Sequence, residues 1–162
     1  MVSTAVAHPV RVENVPERRV AFVRHVGPYL ECGAAFQRLG IWAGPRGLMG
    51  PQTLMLGIGH DDPDITPADK LRYDACMVVG SSFQPEGEIG VQTIPGGDHA
   101  ILTFKGPYTG LGEAYRWLYA GWLPTSGREP NANPAYEVYL NTPMNARPED
   151  LLTEIYLPLQ GR

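Results

Sequence analysis

The sequence predicts an α+β fold: two duplicated βαββ units form an antiparallel sheet that carries two helices and a pseudo-two-fold axis. Three observations carry this. First, the chain repeats itself. Val15-Pro16-Glu17-Arg18-Arg19-Val20-Ala21-Phe22-Val23 is similar to Ile94-Pro95-Gly96-Gly97-Asp98-His99-Ala100-Ile101-Leu102 at an offset of 79, and Gly27-Pro28-Tyr29 matches Gly106-Pro107-Tyr108 at the same offset. Second, the agreement stays in order. It runs through Phe36 with Tyr115 and Leu39 with Leu118. A one-residue insertion then moves the offset to 80 and pairs Trp42 with Trp122, Leu56 to Pro63 with Tyr136 to Pro143, and Asp74-Ala75-Cys76 with Glu154-Ile155-Tyr156. Third, each half reads as strand, strand, helix, strand, strand. Together these place one domain over residues 1–162, made of repeats at about 10–80 and 89–159.

The elements follow in order. Val10 to Val15 alternates with Arg11 and Glu13, and Val20 to Val26 is rich in β-branched residues, so the two read as the strands of a hairpin. After the Gly-Pro-Tyr turn, Cys32, Phe36, Leu39 and the Trp42 to Ala43 end recur at helical spacing. Leu111, Ala114, Tyr115 and Leu118 do the same in the second half. Gly33 and Gly40 each cost that first helix about 1 kcal/mol against Ala, so either the helix is weak or something packs close there. Thr53 to Gly59, Tyr73 to Val79, Ala135 to Leu140 and Thr153 to Leu157 are the short apolar strands that close the units. Residues 80–90, with Ser, Gln, Pro, Glu and Gly, read as the connector.

With 162 residues, 43% hydrophobic and 19% charged, the chain has the composition of a folded domain with an adequate core. Its net charge of −4 comes with no basic cluster beyond Arg18 and Arg19, which excludes direct gripping of a nucleic-acid backbone. Cys32 and Cys76 form neither a CxxC pair nor a disulfide framework, as expected of packed thiols in a reducing compartment. Met1 to Val10 lacks a basic leader and a long apolar core, and no stretch approaches the roughly 20 apolar residues of a membrane span. A cytoplasmic location is the expectation, with no membrane and no direct nucleic-acid contact.

Glu137 is the first functional candidate. It stands in Pro134-Ala135-Tyr136-Glu137-Val138-Tyr139-Leu140-Asn141, a strand too apolar to bury a carboxylate without compensation. Alternation puts Glu137 on one face with Tyr139 and Ala135. The duplicated strand offers only Gly57 and Gly59 there, with Met55 beside them, so a carboxylate and a phenol face a strip without side chains. That describes a cavity floor; the competing reading is a Glu on the solvated face of an edge strand. Phe36, Trp42, Tyr115, Trp117 and Trp122 lie on or just after the helices, and Tyr29 and Tyr108 introduce them. Each ring alone reads more readily as core, but pairing across the repeat sets rings on both sides of one cleft. A carboxylate at its base favours a flat, lipophilic cation. His60-Asp61-Asp62-Pro63-Asp64 lacks the spacing and glycine of a calcium loop and reads as a turn. His8, His25, His60 and His99 form no HExxH pattern, and there is no nucleophile elbow or Walker loop. Neither a metal nor a cofactor is expected.

Taken together, Val23-Arg24-His25-Val26-Gly27-Pro28-Tyr29, Leu56-Gly57-Ile58-Gly59-His60-Asp61-Asp62-Pro63, Leu71-Arg72-Tyr73-Asp74-Ala75-Cys76, Ile94-Pro95-Gly96-Gly97, Trp122-Leu123-Pro124-Thr125-Ser126-Gly127 and Tyr136-Glu137-Val138-Tyr139-Leu140-Asn141 give the chain a family resemblance. Over nearly its whole length it resembles the GyrI-like small-molecule-binding domain, also found as the effector-binding half of AraC-type and MerR-type regulators. The resemblance implies a hydrophobic pocket between the repeats, with Glu137 meeting cationic aromatic compounds for sensing or sequestration. The first repeat begins near Val10, so no helix-turn-helix is expected in front of it and a regulatory role would need a separate partner. Two other functions stay open through the same resemblance. One is hydrolysis of strained, cyclopropane-containing DNA-alkylating toxins, with Glu137 activating water and Tyr139 or a pocket Trp orienting the ligand. The other is a protein-interaction module like the family's gyrase inhibitors.

Overall fold

The computed structural model describes residues 8–50 and 53–161. Its elements are β1 (Val10–Val15), β2 (Arg18–Val26), α1 (Gly33–Ala43), β3 (Met55–Gly59), β4 (Arg72–Val78), β5 (Gly90–Ile94), β6 (Gly97–Lys105), α2 (Leu111–Trp117), α3 (Leu123–Ser126), β7 (Tyr136–Tyr139) and β8 (Leu152–Pro158). The eight strands make one antiparallel sheet in the order β1-β6-β8-β7-β3-β4-β2-β5. Exchanging the halves and reversing the list returns the same order, so a pseudo-two-fold axis passes between β3 and β7. The strand limits repeat at the offsets of the sequence: β2 shifted by 79 is β6, and β4 shifted by 80 is β8.

The expected hairpin between the first two strands is not formed. β1 pairs with β6, Val10 opposite Leu102, and β5 pairs with β2, Gly90 opposite Phe22, so each half lends its leading strand to the other. The link explains why. A two-residue hairpin turn needs positive φ, whereas the connection from Val15 to Arg18 is Pro16-Glu17, and Pro16 holds φ near −65°. The chain turns away instead, and its counterpart link passes close by. A Cβ on Gly96 would lie 2.6 Å from the Val15 carbonyl oxygen and 2.7 Å from the Glu17 nitrogen. Only glycine fits that crossing.

Alternation along the strands sorts the core into two faces. Val15, Val20, Leu56, Ile58, Ile101, Tyr136, Val138 and Tyr156 pack together on one. On the other, α1 buries Ala35, Leu39 and Ala43 over Ala21, Val23, Tyr73, Ala75 and Met77. The second helix likewise buries Leu111, Ala114 and Leu118 over Ala100, Leu102, Ile155 and Leu157. The inserted residue that changes the offset from 79 to 80 falls between Leu118 and Trp122, and that segment, Leu118–Trp122, is a π-helical turn. A π-bulge is how one extra residue is absorbed without breaking a helix. Gly33 and Gly40 have nothing within 4 Å of an added Cβ, so the first helix carries their entropic cost with no close packing in return. Among the described residues Cys32 and Cys76 are free thiols, and no helix is long and apolar enough to cross a membrane.

Candidate functional site

The pseudo-axis fixes the site. In the β3–β7 pair Gly57 lies directly opposite Glu137, each being the other's equivalent across the duplication. Because β7 is hydrogen-bonded to β8 on one side and β3 on the other, Glu137 is on an interior strand, not an edge. Tyr136 and Val138, each 1% exposed, point into the opposite core, which turns Glu137 and Tyr139 toward the helices.

The bare Gly57 is what lets the site assemble. A Cβ there would sit 1.7 Å from the Tyr73 hydroxyl oxygen and 3.0 Å from that of Tyr139, so the Tyr73 phenol occupies the space a side chain would take. From that position Tyr73 meets the Tyr139 hydroxyl in a short hydrogen bond. Tyr139 donates to Glu137 Oε1 at 2.7 Å, and Tyr115, reaching down from α2, donates to Oε2 at 2.8 Å. The single proton of Tyr139 is committed to the carboxylate, so Tyr73 is the donor in the short pair and the relay runs Tyr73 to Tyr139 to Glu137.

Rings complete the enclosure. Phe36 of α1 meets Tyr73 and Tyr139 edge-on at centroid distances of 6.1 and 5.7 Å, Tyr29 lies 5.7 Å from Tyr73, and Tyr108 lies 5.6 Å from Tyr139. The Tyr29 ring lies against Gly59, 3.4 Å from where its Cβ would be, and its hydroxyl donates to the Asp61 carbonyl at 2.6 Å. Glu137, Tyr139, Tyr115, Phe36, Tyr29 and Tyr108 all keep part of their surface accessible. Burial raises the Glu137 carboxyl pKa above its ordinary value, and the hydrogen bonds from Tyr139 and Tyr115 pull back against that rise. Burial, with Glu137 nearby, holds the phenols of Tyr73, Tyr115 and Tyr139 well above their ordinary value, so all three are neutral donors at neutral pH. The Cys32 thiol, in the same neighbourhood, is pushed up to about 11 by burial and by Glu137.

Of the residues singled out in the sequence, Glu137, Tyr139, Tyr115, Phe36, Tyr29, Tyr108, Gly57 and Gly59 are brought together, and Met55 stands opposite Tyr139 in the β3–β7 ladder. The tryptophans are placed differently. Trp42 stands edge-on to Phe83 at 5.0 Å with the Arg46 guanidinium 5.0 Å above its ring, on the side of α1 that faces the connector. Trp117 meets His8 at 5.5 Å, and it packs with Trp122 on the core of the second half. Helical spacing located these rings on a helix but not around it. Tyr73 and Cys32 were missed as site residues. The available signal was Tyr73 itself: a phenol in an otherwise apolar buried strand needs a polar partner. His60-Asp61-Asp62 forms a turn in which Asp61 pairs with Arg72 at 2.9 Å, and no group of metal-ligating side chains occurs among the described residues.

Comparison with known proteins agrees with this fold. Residues 8–160 match the family model described as the GyrI-like small molecule binding domain. A protein of Serratia proteamaculans named DNA gyrase inhibitor is 32% identical over 82% of this chain and 86% of its own. YosT, an SPbeta prophage-derived protein of Bacillus subtilis named for transcriptional regulation, is 34% identical over 57% of this chain. Among solved structures, the EcmrR C-terminal domain superposes with a TM-score of 0.77 at 21% identity, covering 97% of this chain and all of that domain. A hydrolase from Listeria innocua gives 0.67 at 14% identity, covering 97% and 94%. SAV2435, solved bound to tetraphenylphosphonium, gives 0.63 at 14% identity, covering 94% of each chain. The matched part is 63% of YosT and 58% of the longer EcmrR chain in its DNA complex. At these identities the solved structures speak for the fold alone, whereas the family model spans nearly the whole chain: this protein belongs to the GyrI-like small molecule binding domain family.

Proposed function

We propose that the ring cluster around Glu137 forms a groove that binds lipophilic, cationic aromatic small molecules, for sensing or sequestration. One observation carries the reading: among the described residues the carboxyl group's hydrogen-bond partners are two neutral phenols, Tyr115 and Tyr139, and it forms no ion pair. A buried carboxylate without a counter-charge is costly and is relieved by a ligand that brings one. The surrounding rings of Phe36, Tyr29, Tyr73 and Tyr108 supply π-faces and apolar area suited to a delocalised cation rather than to a small hydrated one. That SAV2435, of like fold, was solved with tetraphenylphosphonium supports the ligand class.

A second reading, hydrolysis of a strained ring, is favoured by the directed relay from Tyr73 through Tyr139 to Glu137. It resembles a general base with its positioning groups. Both Glu137 oxygens are already hydrogen-bonded, so Tyr115 or Tyr139 would have to yield before a water could be activated. One experiment separates the two. The protein is incubated with tetraphenylphosphonium and with a cyclopropane-bearing alkylating compound, and binding is followed by calorimetry and products by mass spectrometry. Saturable binding of the cation with both compounds recovered intact is the expected result; a ring-opened product gaining one water supports the hydrolase, and no binding of either refutes both.

A further inference from the structure

The opposite face of the sheet has a concavity of about 230 Å³. Its floor is Ile58 and Tyr136, cross-strand neighbours in β3 and β7, and β5 walls one side with Gln92 and Ile94. His60, the residue after β3, closes the corner. Since alternate residues of a strand point to opposite faces, this concavity is separated from Glu137 by the thickness of the sheet.

Behind His60 lies Asp74, 0% exposed. It accepts 2.8 and 3.1 Å hydrogen bonds from the Arg24 guanidinium, 2.7 Å from His60 Nε2 and 2.9 Å from the Gln92 amide. Burial pushes the Asp74 carboxyl up, but the hydrogen bonds from His60, Arg24 and Gln92 outweigh it and hold the group ionised. An ionised carboxylate only accepts, and this orients both neighbours. A neutral His60 that donates Nε2–H to Asp74 keeps its lone pair on Nδ1, and Gln92 donates through its amide nitrogen, leaving its Oε1. Two acceptors of fixed orientation are therefore left to a concavity that both residues line.

The duplication supplies a reference. At the equivalent positions of the other half, His60 is replaced by Leu140, Arg24 by Thr103, Gln92 by Glu13 and Asp74 by Glu154. Glu154 there is tied to Arg11 and Tyr156 instead. The same fold closes that corner with a leucine, so the architecture does not require the His60–Asp74 pair. The charges around His60 also cancel locally, Arg24 against Asp74 and Arg72 against Asp61.

We propose that this concavity is a second binding site, for a small neutral ring bearing a phenolic O–H or heterocyclic N–H that donates to His60 Nδ1 while the ring lies against Tyr136 and Ile58. The two fixed acceptors select a donor.

The test uses phenol, which is un-ionised at neutral pH, as probe, with calorimetry on the whole chain. One equivalent should bind, unaffected by saturating tetraphenylphosphonium or by Glu137→Gln, and at least tenfold more weakly to His60→Leu, the residue its duplicate carries. In wild type, imidazole nitrogen spectra should show the His60 Nδ1 signal moving on addition of the probe while that of His99, bonded to the Gly97 carbonyl, stays. The wild-type spectra decide the matter even if His60→Leu fails to fold. No binding at millimolar probe, binding lost in Glu137→Gln but kept in His60→Leu, or an unmoved His60 signal would each overturn the proposal.

Discussion

Replacing Gly57 with Ala adds one methyl at the point where the two halves meet, and the structure gives its cost. The new Cβ would fall 1.7 Å from the Tyr73 hydroxyl oxygen and 2.3 Å from its Cζ. Tyr73 cannot swing aside, being 4% exposed and held between Tyr29 and Phe36. Overpacking of this kind costs about 1–3 kcal/mol, and expelling the phenol forfeits its hydrogen bond to Tyr139, about 1 kcal/mol more. The sum, about 2–4 kcal/mol, corresponds to a fall in Tm of roughly 5–15 °C for a domain of this size. Thermal and urea unfolding measure it. A double variant adds a sharper test: Tyr73→Phe removes the atom at 1.7 Å but leaves the ring carbon at 2.3 Å, so it should relieve little, whereas Tyr73→Val should relieve most of the clash. Gly57→Ala within about 0.5 kcal/mol of wild type, a change typical of neutral surface positions, would refute the claim that Tyr73 fills that space.

Three further outcomes follow from the fold. Gly40→Ala, in mid-helix with nothing within 4 Å of the added Cβ, should raise stability by about 0.5–1 kcal/mol in urea unfolding; a loss would mean a neighbour is packed there. Asp74→Asn leaves Arg24 and His60 without their buried anion and should cost about 2–3 kcal/mol, below the full figure for a buried pair because Arg24 is 44% exposed; an unchanged urea midpoint would contradict the network. His99 is 1% exposed, and burial lowers its imidazole pKa. The unfolded chain therefore takes up a proton at higher pH than the folded one. The stability this group contributes is full above the ordinary histidine pKa of about 6.5 and is lost as pH falls below it toward the folded value. Urea midpoints between pH 8 and 5 should drop more in wild type than in His99→Leu; parallel curves would argue against it.

Much of the architecture was legible in the residues because a duplication leaves ordered agreement that local propensity cannot mimic. Even the shift at Trp42 and Trp122 marks a physical object, the π-helical turn at Leu118–Trp122. The exchange of leading strands was not read, since alternation in Val10–Val15 satisfies pairing with either half. The evidence lay in the link, where Pro16 is unsuited to a hairpin turn. Glu137 stood out because a carboxylate between Tyr136 and Val138 has no apolar explanation. Tyr73 did not, because its position depends on a void at Gly57 that exists only once β3 and β4 are in register, Gly57 opposite Ala75. In the sequence, Trp42, Trp117 and Trp122 are placed at the cleft by helical spacing and by their pairing across the repeat. Spacing gives a helix face but not which neighbour that face meets.

Titration calorimetry of tetraphenylphosphonium and of neutral triphenylphosphine oxide against wild type and Glu137→Gln tests the charge-reading role of Glu137 most directly. Breaking a charge-assisted contact in an enclosed site costs on the order of 2–5 kcal/mol, so cation affinity should fall roughly thirtyfold or more in the variant while the neutral compound changes little. The Glu137 carboxyl pKa is raised above its ordinary value, and binding a cation requires the ionised form. Wild-type cation affinity should therefore decline as pH drops through that raised pKa, and affinity for the neutral compound should stay flat. Equal losses for both compounds in Glu137→Gln, or no loss for either, would contradict it.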